Sequence, residues 1–131
     1  MSDLATVRDC MTTRVVTFSP DLDLRQAIRI LLRHGISGAP VVDGTERVVG
    51  ILSKRDCLKV LFRLGYHQAE AGPVSAYMSR DVEAVAPDLP LVALAERFLG
   101  RTFRRYPVVD RGKLVGIVSR HDVLRALEAR W

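Results

Sequence analysis

Within 131 residues the chain writes one pattern twice. Met11, Pro20, Asp21, Leu22 and Leu24 return 67 positions later as Met78, Pro87, Asp88, Leu89 and Leu91. Pro40, Val41, Val42 and Asp43 return at the same shift as Pro107, Val108, Val109 and Asp110. Beyond that point the shift falls to 66, and the word GILSKRD (50–56) returns as GIVSRHD (116–122). The lost residue falls between DGTERV and DRGKLV, turn-forming stretches where deletions are tolerated. A repeat of this size restricts the fold more than composition does, because the chain must be two copies of one supersecondary unit. The copies run 7–64 and 74–131, joined by a linker at 65–73 that contains Gly65, Gly72 and Pro73.

Each copy resolves by hydrophobic period. Val15 to Ser19 and Val82 to Ala86 are short β-prone runs that stop at Pro20 and Pro87. Leu24, Ala27, Ile28, Leu31 and Leu32 then fall at helical spacing on one apolar face, and Leu91, Leu94, Ala95, Phe98 and Leu99 repeat it. Asp23 with Gln26 three residues on has capping-box spacing, while the second copy offers Pro90 near its first turn. Ala39–Asp43 with Arg47–Ser53 reads as a hairpin around Gly44, and Tyr106–Asp110 with Lys113–Ser119 as another around Gly112. A second helix starts at Ser53 and again at Ser119. The expected fold class is therefore α/β (α+β): two β-α-β-β-α repeats, the first two strands parallel and the third antiparallel. Three strands and two helices bury too little to stand alone, so two copies packed with pseudo-twofold symmetry are expected.

Composition narrows the function. Hydrophobic residues make up 48% and charged residues 27%, which fits a globular domain rather than a disordered chain. No apolar run reaches the roughly 18 residues of a membrane span. The start, MSDLATVRDCM, has no signal-peptide pattern, and Cys10 and Cys57 have no disulfide framework, so a cytoplasmic location is expected. Net charge is +5, with arginine supplying 17 of the 20 cations. That surplus is too dispersed to mark nucleic acid by itself, but arginine's planar fork keeps anionic ligands in play.

The doubled word supports two roles. Serine at a helix start with a carboxylate three residues on is nearly a capping box, and the acid also suits the helix dipole. Equally, ligands of open α/β sheets collect at strand carboxyl ends beside helix N-termini, where amides and a serine hydroxyl attract phosphate and an aspartate accepts ribose hydroxyls. The two roles are compatible, since one hydroxyl can change partners.

In order and twice over, P-D-x-x-L, an amphipathic helix, P-V-V-D and G-I-x-S-x-x-D resemble a tandem pair of cystathionine β-synthase (CBS) domains, a Bateman module. The resemblance spans nearly the whole chain. It implies a regulatory module that binds adenosine-containing ligands, of the AMP, ADP and ATP class or S-adenosylmethionine and NAD-type molecules, in two clefts between the domains. Carried over residue by residue, one cleft combines Ser19, Ile36, Ser37 and Ala39 with Ser119 and Asp122. The other combines Ala86, Phe103, Arg104 and Tyr106 with Ser53 and Asp56. The copies differ here: HGISGAP is small and neutral, whereas TFRRYP is bulky and cationic. Phe103 fits either an adenine face or the core, as Ile36 would, and Arg104 fits either a phosphate or solvent. Lys54, Arg55, Arg120 and His121 add positive field, while Thr17 and Ser19 becoming Ala84 and Ala86 thins the polar wall of the second cleft.

Catalysis finds no constellation. His34, His67 and His121 lack a second ligand at metal spacing. Ser119, His121 and Asp122 crowd one helix start and cannot form a relay, and neither a P-loop nor G-x-G-x-x-G occurs. The expectation is a non-enzyme without resident cofactor or metal, with an adenosine nucleotide as ligand and a separate effector protein as partner. Basic nucleic-acid binding, fed by pI ≈ 9.8 and by Arg101, Arg104 and Arg105, and an empty structural dimerisation module are the competing readings. CLKVLFRLG and VLRALEARW are apolar on more than one helical side, which predicts a homodimer.

Overall fold

A computed structural model describes residues 5–67 and 70–130, so Trp131 lies outside the described residues, as does the side chain of His67. The elements run α1 (Val7–Cys10), α2 (Leu24–His34), β1 (Gly38–Val42), β2 (Val48–Ser53), α3 (Lys54–Cys57) and α4 (Val60–His67). A 3-10 turn at Val74–Ala76 is followed by α5 (Leu91–Gly100), β3 (Arg105–Asp110), β4 (Lys113–Ser119) and α6 (Arg120–Glu128). Helices and strands mix in each copy, as the repeat requires. Among the described residues no helix is long and apolar enough to cross a membrane.

The chain forms two compact units that do not follow the repeat. One is Val16–Val82; the other joins the residues up to Val15 to those from Glu83 onward. The segment opening each copy is a strap laid on the hairpin and first helix of the other copy. In the split unit the Val7 and Arg8 amides donate to the Leu89 and Pro87 carbonyls at 2.9 and 2.8 Å, and Thr12 exchanges two bonds with Ile117. In the continuous unit the Val74 and Ser75 amides donate to Leu22 and Pro20 at 2.8 Å, and Ser79 exchanges two bonds with Ile51. Val7 and Val74 are both fully buried in these foreign cores.

The strap explains the glycine that opens the doubled word. A Cβ on Gly50 would stand 2.6 Å from the Met78 sulfur and 2.9 Å from the Ser79 carbonyl oxygen. On Gly116 it would stand 2.9 Å from both the Met11 sulfur and the Thr12 oxygen. Only glycine admits backbone that close.

The expected first strands are corrected to single residue pairs. Phe18 pairs in parallel with Val41, and Val85 with Val108, so each sheet has two strands. The reason is proline chemistry. The Phe18 amide donates to Pro40 O and the Val42 amide donates to Phe18 O, at 3.0 and 2.9 Å. Extending this ladder one way needs an N–H on Pro40, and the other way one on Pro20; neither has it. Pro107 and Pro87 block the second copy identically. The hairpins themselves form as expected, antiparallel with one bulge each.

The turns account for the one-residue shift. Arg111 and Gly112 both have positive φ, 52° and 81°, the two-residue turn that matches strand twist. The first copy is one residue longer and is held by Asp43, whose Oδ1 accepts from the Thr45 amide and hydroxyl and the Arg47 amide at 2.7 to 3.1 Å. Those bonds lower the Asp43 pKa, chiefly through Thr45. The helix α2 closes at Gly35, in the left-handed region at φ 64°. Its Asp23 caps the Arg25 amide at 3.3 Å, while the Gln26 amide goes to the Asp23 carbonyl at 3.0 Å.

Candidate functional site

Both copies of the word form full capping boxes where a strand feeds a helix. In the continuous unit the Asp56 amide donates to Ser53 Oγ at 3.1 Å, and Asp56 Oδ2 accepts from the Ser53 amide and hydroxyl at 3.0 Å. In the split unit the Asp122 amide donates to Ser119 Oγ at 3.1 Å, and the Ser119 amide donates back to Asp122 Oδ2 at 2.8 Å. The amide opening each helix is also used: Lys54 donates to the Ser37 carbonyl at 2.8 Å and Arg120 to the Arg104 carbonyl at 3.2 Å. The serine–aspartate pair thus carries the helix start, and Ser37 and Arg104 are tied to it through their backbones.

The other carboxylate oxygen of each aspartate faces a cation. Lys59 Nζ lies 3.2 Å from Asp56 Oδ1, and Arg125 Nη2 lies 2.8 Å from Asp122 Oδ1. The Asp122 side chain is 8% exposed against 14% for Asp56, so the arginine pair is the better shielded. Lys59 also reaches the Tyr77 carbonyl at 3.4 Å, linking Asp56 to its strap. In the split unit the strap residue Cys10 sits beside Asp122 and Arg125; burial first, then the Asp122 and Asp9 charges, push its thiol up to about 11. Cys57 is raised by burial and then by Asp56. Both are buried free thiols, and neither is an activated nucleophile.

The remaining expected residues divide by exposure. Ser19 is exposed, its hydroxyl donating to the Asp21 carboxylate. Ile36 is half-buried and packs on the core of the continuous unit; Ser37, Ala86 and Arg104 are exposed. The Ala39 and Tyr106 side chains belong to the cores of their own units, leaving only backbone to offer a ligand. Phe103 is partly packed and partly open: its ring lies 5.7 Å from Tyr106, and it is 37% exposed. Among the described residues no His, Cys, Asp and Glu group could hold a metal ion.

Three kinds of contact are absent from the sequence reading: a cap, two counter-cations and a distant ion pair. A third capping box joins Thr6 and Asp9 at α1, readable in the T-V-R-D spacing that parallels S-K-R-D. The counter-cations Lys59 and Arg125 stand three residues beyond their aspartates, a helical-neighbour spacing that could have flagged them. Glu83 pairs with Arg101 at 3.4 Å, a contact with no local signal.

The CBS domain family model matches residues 7–63 and again 74–129. The chain belongs to the CBS domain family. Among solved structures it is similar to CBSX2, a CBS-pair protein from Arabidopsis thaliana, in complex with AMP: TM-score 0.85 and 32% identity, covering 97% of this chain and 99% of that one. The CBS domain pair of protein MJ0100, in complex with 5′-methylthioadenosine and S-adenosyl-L-methionine, gives TM-score 0.80 and 26% identity, covering 98% and 99%. Among curated relatives, protein MJ1225 of Methanocaldococcus jannaschii is 29% identical over 126 residues, 95% of this chain. The CBS chain spans 44% of that relative's length and less of the next.

Proposed function

We propose that this CBS pair is a non-catalytic regulatory module that binds an adenosine-containing ligand and signals to a separate effector protein. The observation that carries the reading is the twice-built serine–aspartate helix start, in a chain of the same fold as CBS pairs solved with AMP and with S-adenosyl-L-methionine. Ser53 with Asp56 and Ser119 with Asp122 are the proposed grips for phosphate and ribose. Ser19, Ile36, Ser37, Ala39, Ala86, Phe103, Arg104 and Tyr106 are proposed to complete the contacts, Ala39 and Tyr106 through their backbones. A ligand that favours one arrangement of the chain shifts its population by its differential affinity, which is all a sensor requires.

Thermal shift tests this directly. AMP, ADP, ATP, S-adenosylmethionine and NADH are compared with GTP and a DNA oligonucleotide at two salt concentrations. A ligand of the native state raises the midpoint. No shift with any adenosine compound, or a salt-sensitive shift with DNA alone, overturns the reading.

A homodimer is proposed as well. Leu58, Leu61, Phe62 and Leu64 of the second helical segment are 44 to 71% exposed, and an apolar hollow of about 310 Å³ opens among Ile28, Leu31, Leu32, Leu58, Val60 and Leu61. Bare leucine in that density is a surface awaiting cover. Sedimentation of the wild type against Leu61→Glu checks it: a dimer that becomes monomer supports the proposal, and a monomeric wild type ends it.

A further inference from the structure

The two copies differ most where their first helix runs into the hairpin. Residues 97–106 carry Arg97, Arg101, Arg104 and Arg105 and no acid; at the corresponding positions 30, 34, 37 and 38 stand Ile30, His34, Ser37 and Gly38. The same stretch supplies a ring cluster. Phe98 and Tyr106 are 5.0 Å apart, and Phe103 lies 5.7 Å from Tyr106 with part of its face open. Leu31, Ile36 and Ala39 replace the three rings in the first copy.

A fifth arginine locks onto the same cluster. The Arg120 guanidinium sits 6.0 Å over the Phe98 ring and donates to the Phe103 carbonyl at 3.1 Å. One carboxylate offsets this group, Glu83 on Arg101; among the described residues no ion pair holds Arg97, Arg104, Arg105 or Arg120. Burial and the Glu83 charge raise the Tyr106 pKa, and Arg97, Arg101 and Arg120 act against that rise, which places three guanidinium groups near one phenol. Like charges gathered on one surface repel one another unless an anion joins them.

We infer that the Phe98–Phe103–Tyr106 surface with Arg101, Arg104 and Arg120 is a polyphosphate-selective site, so the split unit prefers nucleoside di- and triphosphates over monophosphates and over sulfonium-bearing adenosyl compounds. The nucleoside part rests on the adenosine reading above; the phosphate part rests on the arginines alone. Arginine's fork bonds phosphate oxygens in pairs, and each added phosphate oxyanion gives this surplus of cations a further partner. A sulfonium adds a positive charge to a positive surface and is disfavoured. In the continuous unit the equivalent positions carry Leu31, Ile36 and Ala39 in place of the rings, and His34, Ser37 and Gly38 in place of Arg101, Arg104 and Arg105.

Calorimetric titration of the full chain with adenosine, AMP, ADP, ATP and S-adenosylmethionine, without magnesium, reads this out. Affinity is expected to rise along the phosphate series, with ATP about tenfold above AMP. Arg104→Gln and Arg101→Gln are expected to compress the ATP-to-AMP ratio toward one, with Arg104→Lys intermediate. Arg29→Gln, an exposed cation of the other unit, is expected to keep the ratio. A flat series, or a ratio unmoved in both variants, overturns the inference. If no adenosine compound binds, the adenosine reading fails separately, and inorganic tripolyphosphate becomes the probe: binding lost in Arg104→Gln sustains the anion site, and no binding ends it. A single-stranded DNA oligonucleotide that displaces ATP with a steeper salt dependence also overturns it, in favour of nucleic acid.

Discussion

The two units share a plan and fill it with different chemistry. Each has a strap buried by a valine, a glycine where the strap crosses the hairpin, and a serine–aspartate helix start. Where its first helix meets the hairpin, the continuous unit places Leu31, Ile36 and Ala39, and it backs its aspartate with Lys59. The split unit places the rings Phe98, Phe103 and Tyr106 at the same positions and backs its aspartate with Arg125. What is common is what the backbone needs, namely glycine, capping residues and strap valine. What differs is what only side chains decide, and there the copies have been free to specialise.

Removing the filling tests that distinction most severely. Tyr106 is fully buried, so Tyr106→Ala is expected to cost about 3–5 kcal/mol of unfolding free energy in a urea titration. The equivalent Ala39 has no ring to lose, and Ala39→Gly is expected to cost far less. Equal losses would show that the units are not packed differently.

The strap glycines come next. Gly116→Ala and Gly50→Ala each push a methyl into a backbone oxygen at 2.9 Å, and about 1–3 kcal/mol is expected for both. Here the units should behave alike, and a one-sided loss would break the shared plan.

Smaller effects attend the caps. Asp122→Ala and Asp56→Ala each remove a capping acid, about 0.5–2 kcal/mol, with Asp122 costing more because it is better buried and pairs at 2.8 Å rather than 3.2 Å. If the adenosine reading holds, both also weaken nucleotide binding, by about 1–3 kcal/mol. A fall in melting temperature with unchanged affinity leaves capping as the whole role of the pair.

The smallest expected effect is a pH dependence. The folded Cys10 thiol titrates about 11, above its ordinary value, so folding favours its neutral form. Its contribution is therefore present below the ordinary thiol range and is lost as pH climbs through that range toward 11. Melting temperature is expected to fall over that window, and Cys10→Ala to flatten part of the fall.

The parts legible in the sequence were those set by local chemistry. The helical period of Leu24 to Leu32, the turn at Gly112 and the Ser–Asp spacing each follow from neighbours a few residues apart. The first strands were misjudged because their length depends on whether a distant partner has an N–H, and Pro40 and Pro107 sit on that partner. The straps were invisible for the same reason: Val7 and Val74 look like any apolar residue until a foreign core encloses them. Of the site, the capping serines and aspartates could be read directly, whereas the ring cluster under Arg120 needed packing to bring Phe98, Phe103 and Tyr106 together.

The strap exchange separates what was copied from what folds. A single ancestral copy would have left its own hairpin bare and its own opening segment unhoused. It could satisfy both only by trading that segment with a second molecule of itself. Duplication tied two such molecules into one polypeptide, so expressing either half at the repeat boundary is expected to yield an incomplete core that restores itself by pairing with another copy.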